Sequence, residues 1–211
     1  MENGVDYFEP GGVIIASAVR LAIEPVLASL ISEDQRGFIG GRSMIANLVD
    51  IDEALTTFAF VSDNAFAFFY DFAAAFPSVE HELFEEYFRA LGWPGWLRTI
   101  IKALYRNNKC IISLGKALFA GFSITRGIRQ GCPLSPLLFS AVSELLLRRL
   151  RTRISHSVNR AWADDLAMVL RNGPPQIQTM ANLFSEFARI SGLHLNIGKT
   201  VLVPLFPYRS T

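Results

Sequence analysis

Two cysteines, Cys110 beside a basic run and Cys132 inside a Gly/Pro-rich turn, are all that this 211-residue chain contains. Their spacing fits neither a metal knuckle nor a disulfide framework, which argues against a stapled secreted scaffold and leaves two incidental thiols. The opening MENGVDYFEP lacks the basic and apolar regions of a signal peptide, and the longest apolar stretch near a possible span is interrupted by Asp71. A soluble intracellular protein with no membrane partner is expected, with nucleus or cytoplasm left open. No internal repeat or low-complexity tract is visible either. What is present is 51% apolar and 18% charged, enough to bury a sizeable core in one domain, or one domain with a smaller lobe.

Net charge is +1, but it is unevenly laid out. Through Phe88 there are 3 basic and 15 acidic residues, and after it 17 basic and 4 acidic. Such asymmetry suits a polyanion, because Lys and Arg that neutralise phosphates release counterions. It equally suits two lobes that attract each other, and charge alone leaves both readings open.

Periodicity predicts a helix over residues 13–31, with Pro25 expected to kink or divide it. QRGFIGGRS at 35–43 reads as a Gly-rich loop whose Ser43 caps a helix carrying Ile45, Leu48, Asp52 and Leu55. The short aromatic run Ala65–Tyr70 reads as a buried strand that ends at Asp71. A helix of about four turns should follow Pro77 and stop near Gly92, with another over 94–106. Short strands are expected at Cys110–Leu114 and Ala117–Ile124. In RGIRQGCPLSP, Ser135 as N-cap and Pro136 start a helix burying Leu138, Val142, Leu145 and Leu146. Its far end carries Arg148, Arg149, Arg151 and Arg153, which suit either the helix C-terminus or phosphate contact. Residues 158–171 read as a hairpin turning on Asp164-Asp165. Pro174 opens a helix with Ile177, Met180, Leu183, Phe184 and Phe187 inward, and Gly192 caps it. A strand over 193–197, then Lys199, then a last strand VLVPLF complete the pattern.

Asp71 at one strand end and Asp164-Asp165 at a hairpin tip lie in otherwise apolar segments, where a carboxylate is costly unless paired or metal-bound. Any one of them can be an ordinary turn residue. If the strands are neighbours, however, two or three carboxylates meet at one spot, as required to hold a pair of Mg²⁺ ions, or Mn²⁺ in their place, for in-line phosphoryl transfer.

From about Ala16 to Leu205 the chain resembles the reverse transcriptase domain of non-LTR (LINE-type) retrotransposons. QRGFIGGRS resembles the family's segment ahead of the palm, FYDFAAAF its motif A, GIRQGCPLSPLLF motif B, AWADDLAMV motif C and SGLHLNIGKT motif D. The resemblance implies an α+β fold: a right-hand polymerase palm with an antiparallel sheet from strands near 65–71, 158–163, 166–171 and 193–197, helices on one face, partial helical fingers and no thumb. Residues 1–64 would be the partial fingers region and 65–211 the palm, with inserted finger elements at about 92–125. It further implies Asp71, Asp164 and Asp165 as metal ligands together with the Phe72 backbone carbonyl, and Lys199 as the acid for the leaving pyrophosphate. Phe76 would exclude a 2′-hydroxyl by steric clash. Gln130 and Gly131, with Arg126 beside them, would meet template and nucleotide, and Trp162 would pack on the primer end. The implied partners are an RNA template, a DNA primer and deoxynucleoside triphosphates.

The chain departs from the family pattern in places. The first fifteen residues carry Glu2, Asp6 and Glu9 and no Lys or Arg in place of the basic Arg-Pro-Ile-type segment, leaving Arg20 as the nearest cation, and motif A has Pro77 where many relatives are acidic. A truncated RNA-directed DNA polymerase core is therefore expected, with a catalytically inactive palm-fold remnant or a palm module that binds RNA or protein as the alternative. A nucleotide cyclase is disfavoured because its Gly-Gly-Asp/Glu turn is absent.

Overall fold

A computed structural model describes residues 10–115 and 117–205; the acidic start of the chain and Phe206, the end of the last expected strand, lie outside the described residues. In chain order the elements are α1 (Pro10–Leu30), α2 (Met44–Val61), β1 (Phe66–Tyr70), the short α3 (Ala75–Ser78), α4 (His81–Ala90), α5 (Gly95–Tyr105), β2 (Asn108–Leu114), β3 (Ala117–Ile124), α6 (Ser135–Arg153), β4 (Ser157–Trp162) and β5 (Asp165–Leu170). A 3₁₀ turn at Pro174–Gln176, α7 (Ile177–Ser191) and β6 (Val201–Pro204) complete it. The result is an α+β palm with helical additions. Its antiparallel sheet has the order β4-β5-β1-β6, and β2 and β3 form a two-stranded sheet of their own.

Alternation along β1 divides its side chains between two environments. Phe68 and Tyr70 stack at 5.6 Å on the core side, where Tyr70 meets Phe184 of α7 at 4.6 Å and donates from its hydroxyl to Met180 Sδ. Phe69 points the other way and is partly exposed. Under the sheet, α6 buries Leu137, Leu138, Phe139, Val142, Leu146 and Leu150, each such side chain contributing about 1.5–3 kcal/mol by leaving water. Leu145 is half-buried against that core.

Several expectations are corrected. The fourth strand of the sheet is β6, not 193–197; that segment makes one isolated bridge, Phe72 with Leu195, before Asn196 O turns the chain by accepting from Lys199 N and Thr200 N. The helix after Pro77 is broken at Val79–Glu80 because their backbone groups are used elsewhere: Val79 O accepts from Gly127 N and Glu80 N donates to Ser191 O. Pro25 lies inside an undivided α1. Ser135 is the first residue of α6 rather than its cap, buried with its hydroxyl on Tyr105 Oη at 3.1 Å.

Ser43 does cap α2, accepting from Ile45 N, yet Ile45 and Leu48 face solvent and α2 buries Asn47 and Ala54 instead. The helix is docked by polar contacts to β4, not by an apolar stripe. Ile177 is likewise exposed, whereas Met180, Leu183, Phe184 and Phe187 point inward as expected. By length and composition alone, Gly11–Leu30 of α1 is apolar enough to cross a bilayer; here its Ala16, Val19, Ile23 and Leu27 join the core.

Candidate active site

The last paired residues of β1 and β5 are Tyr70 and Leu166, and Asp71 and Asp165 are the positions directly beyond them. Tyr70 and Leu166 are buried, and by alternation the two carboxylates leave the sheet on the opposite face. Trp162 pairs with Asp165 at the top of β4–β5, which makes Ala163 and Asp164 the two-residue turn. The expected Asp164-Asp165 turn is thus shifted back by one residue. Ala163 has φ 59°, the left-handed conformation that matches the twist of a tight hairpin, at a cost of roughly 1–2 kcal/mol for a residue with a Cβ.

Partial burial first, then the charges of Asp164 and Asp71, push the Asp165 carboxyl above the usual aspartate range. Three acids therefore share one field. Lys199 Nζ lies 3.9 Å from Asp71 Oδ2, both side chains being open to water. The chain leaving β1 is held by the 193–196 segment: Asn196 N donates to Asp71 O at 2.8 Å and Ala73 N to His194 O at 2.8 Å, with Phe72 buried between. Among the described residues no three His, Cys, Asp or Glu side chains already stand at ligand spacing.

Phe76 is half-buried, stacked on Phe139 of α6 at 4.7 Å and met edge-on by Phe38 at 6.2 Å. The loop before α6 is pinned to the same turn: Ile128 N donates to Phe76 O, and Gly127, at φ 95°, approaches so closely that a Cβ would lie 2.6 Å from Pro77 O. Gln130 and Gly131 are exposed at the tip of that loop, and Arg126, also exposed, lies 3.8 Å from Glu80. Trp162 is half-buried. A separate cleft of about 360 Å³ between α4 and α5, lined by Phe84, Phe88, Ile101 and Tyr105 with Glu85 and Arg98, contains none of these residues.

The residues ahead of β1 do more than their sequence signalled. Arg160 of β4 donates to Asp50 Oδ2 at 2.6 Å and Asp34 Oδ1 at 2.9 Å, and Arg36 shares Asp50 at 2.7 Å. Burial pushes the Asp34 carboxyl up despite Arg160 and Arg151. At Asp50 burial acts in the same direction, but hydrogen bonds from Arg160 and Arg36 outweigh it and hold the carboxyl below its usual range. Arg42 donates to the carbonyls of Ala28, Ile31, Ser32 and Gln35, closing the C-terminal end of α1. Arg20 pairs with Glu24. Of the α6 arginines, Arg148 pairs with buried Glu144 and the Leu30 carbonyl, Arg149 with Glu186 and Arg151 with Asp34. Those three are therefore engaged in fold contacts.

Comparison with known proteins agrees with this architecture. The chain is 31% identical over 169 residues to the "Transposon TX1 uncharacterized 149 kDa protein" of Xenopus laevis, covering 75% of this chain and 13% of that protein. It is 32% identical over 167 residues to the Pol polyprotein of the type-1 retrotransposable element R2 of Nasonia vitripennis, covering 74% of this chain and 16% of the relative. It thus spans a small part of either relative's length. Among solved structures, apo telomerase from Candida tropicalis superposes with TM-score 0.68 at 10% identity over 90% of this chain and 37% of that one, a likeness of fold. The model of the family described as "Reverse transcriptase (RNA-dependent DNA polymerase)" matches residues 13–206, and with retrotransposon proteins as its relatives the chain belongs to the reverse transcriptase family, in its non-LTR branch.

Proposed function

We propose that this chain is the palm and part of the fingers of an RNA-directed DNA polymerase, which extends a primer 3′-hydroxyl with deoxynucleotides on an RNA template. The observation that carries the reading is the placement of Asp71 and Asp165 directly beyond the last β1–β5 pair, Tyr70 with Leu166, with Asp164 at the adjoining turn. Reverse transcriptases generally use divalent metal ions. The donor set here suits such ions: hard carboxylate oxygens, with burial first and then the charges of Asp164 and Asp71 raising Asp165. Asp71, Asp164 and Asp165 would hold two Mg²⁺ ions, or Mn²⁺ in their place, with the Phe72 carbonyl as a further ligand. When bound, the ions supply an activated 3′-hydroxyl and charge neutralisation at the triphosphate.

The remaining steps fall to side chains. Lys199 delivers a proton to the leaving pyrophosphate. Phe76, held between Phe139 and Phe38, presents a flat face that a 2′-hydroxyl would strike, which selects deoxynucleotides. Gln130 and Gly131, with Arg126, contact nucleotide and template, and Trp162 supports the primer end. We assign 1–64 to fingers and 65–211 to palm with inserted finger elements at about 92–125.

A second reading, a catalytically inactive remnant or a module that binds RNA or a protein, is favoured by one observation: among the described residues no three His, Cys, Asp or Glu side chains stand at ligand spacing. Primer extension on poly(rA) with oligo(dT), dTTP and Mg²⁺ separates the two. Extension by the chain and none by an Asp164→Ala, Asp165→Ala double variant supports the polymerase. Folded protein inactive in both forms supports the truncated remnant or the binding module.

A further inference from the structure

Gln35 is completely buried, and its side-chain amide uses all four of its hydrogen-bonding positions. Nε2 donates to Ser143 Oγ at 2.8 Å and to Ala163 O at 3.1 Å, while Oε1 accepts from Gly37 N at 2.8 Å and from Ala163 N at 3.2 Å. Both backbone groups of Ala163 thus end on one side chain 128 positions away. Ala163 is the buried, left-handed turn residue that directly precedes Asp164, and it lies beyond the last ladder pair, Trp162 with Asp165. Leaving a buried amide N–H or C=O without a partner costs about 1–3 kcal/mol, so the amide of Gln35 offsets a penalty that the turn would otherwise carry.

The chain delivers Gln35 to a fixed place. Residues 34–36 run beside β4 as a short parallel bridge, with Ala161 N donating to Asp34 O at 2.6 Å and Arg36 N to Ala161 O at 3.0 Å. Gly37 then passes so close to the turn that a Cβ there would lie 2.2 Å from Ala163 N. From below, Ser140 of α6 donates to Gly37 O at 2.9 Å. The turn is therefore clamped between α6 and the 34–37 segment, and the amide is the part that touches it.

We propose that Gln35 is a positioning residue: by holding Ala163 in its left-handed conformation it sets where Asp164 and Asp165 stand toward a divalent cation. The inference rests on the reading of those carboxylates as metal ligands. The test is Mn²⁺ titration of the 211-residue chain, followed by the loss of free-ion paramagnetic resonance signal, with melting temperature recorded in parallel. Gln35→Met keeps the volume and removes the hydrogen bonds. It is expected to weaken Mn²⁺ binding about tenfold or more, the usual consequence of losing an outer partner of a metal site. Phe88→Leu, on the buried face of α4 and away from the turn, is the control: it lowers the melting temperature and leaves Mn²⁺ affinity unchanged. Ser143→Ala frees one Gln35 donor and is expected to give a smaller weakening, and it carries the test if Gln35→Met does not fold. Parental affinity in the Gln35→Met or Ser143→Ala protein, or equal weakening by Phe88→Leu, overturns the positioning role alone. A parent chain without Mn²⁺ binding that depends on Asp164 and Asp165 overturns the polymerase reading and this inference with it.

Discussion

The two hairpins of this molecule are built alike and live differently. Hairpin β4–β5 is backed by α6 and by β1, is edged by the 34–37 segment and α2, and buries Met168, Val169 and Leu170 completely. Hairpin β2–β3 pairs with no other described strand and leaves Leu114, Leu118, Phe119 and Phe122 more than half exposed. Both have the β-branched and aromatic residues of good strands. What distinguishes them is support from outside: one is held at its tip by side chains from other parts of the chain, and the other depends on its own ladder, a marginal arrangement in water. A carboxylate that must be aimed belongs on the first kind.

The largest expected effect is at the clamp. Gly37→Ala forces a Cβ against Ala163 N and should lower unfolding free energy by about 4 kcal/mol in urea titration, in the range reserved for backbone clashes and lost networks. A loss under about 1 kcal/mol would mean that the loop yields and the hairpin is not clamped. Next comes the body of the supported hairpin: Met168→Ala should cost about 3 kcal/mol as a buried cavity. Asp50→Asn should cost about 2 kcal/mol at neutral pH by removing two charge-assisted hydrogen bonds to Arg160 and Arg36. Because Asp50 is depressed in the folded state, its contribution is present above the ordinary aspartate range and is lost as pH falls through its lower folded value. The gap between parent and variant should therefore close in acid, and a pH-independent gap would deny the ion cluster its role. Smallest is the unsupported hairpin, where Leu118→Ala should change stability by no more than about 0.5 kcal/mol. Amide exchange should rank the hairpins in the same order, with β2–β3 opening first.

Much of this was legible beforehand because it is local. The aromatic run of β1, the apolar face of α6, both hairpins and the three acids are written in short windows, and the motifs around them pointed to the palm. The errors share a cause. The fourth strand was placed at 193–197 because Leu193, Leu195 and Ile197 alternate, but alternation cannot say which segment reaches the sheet edge, and 201–204 does. The helix carrying Ile45, Leu48, Asp52 and Leu55 is legible from its cap, but that it docks through Asn47 and Asp50 is not. Gln35 lay inside a recognised motif and still gave no sign of its role, since a hydrogen bond spanning more than a hundred residues leaves no periodicity.

The order of strands in the sheet also has a consequence in time. β1 is the first strand of the sheet to be synthesised and lies inside it, yet both its neighbours, Asp165–Leu170 and Val201–Pro204, come from the last quarter of the chain. At ordinary translation speeds of about 5–20 residues per second, FAFFY must wait roughly 5–20 s for the first of them. During that interval the most aromatic segment of the future palm has no sheet to join, and distant pairing is slow to form even when its partner arrives. Whatever yield this chain gives on expression is then set as much by what shelters β1 in the meantime as by the stability of the finished fold.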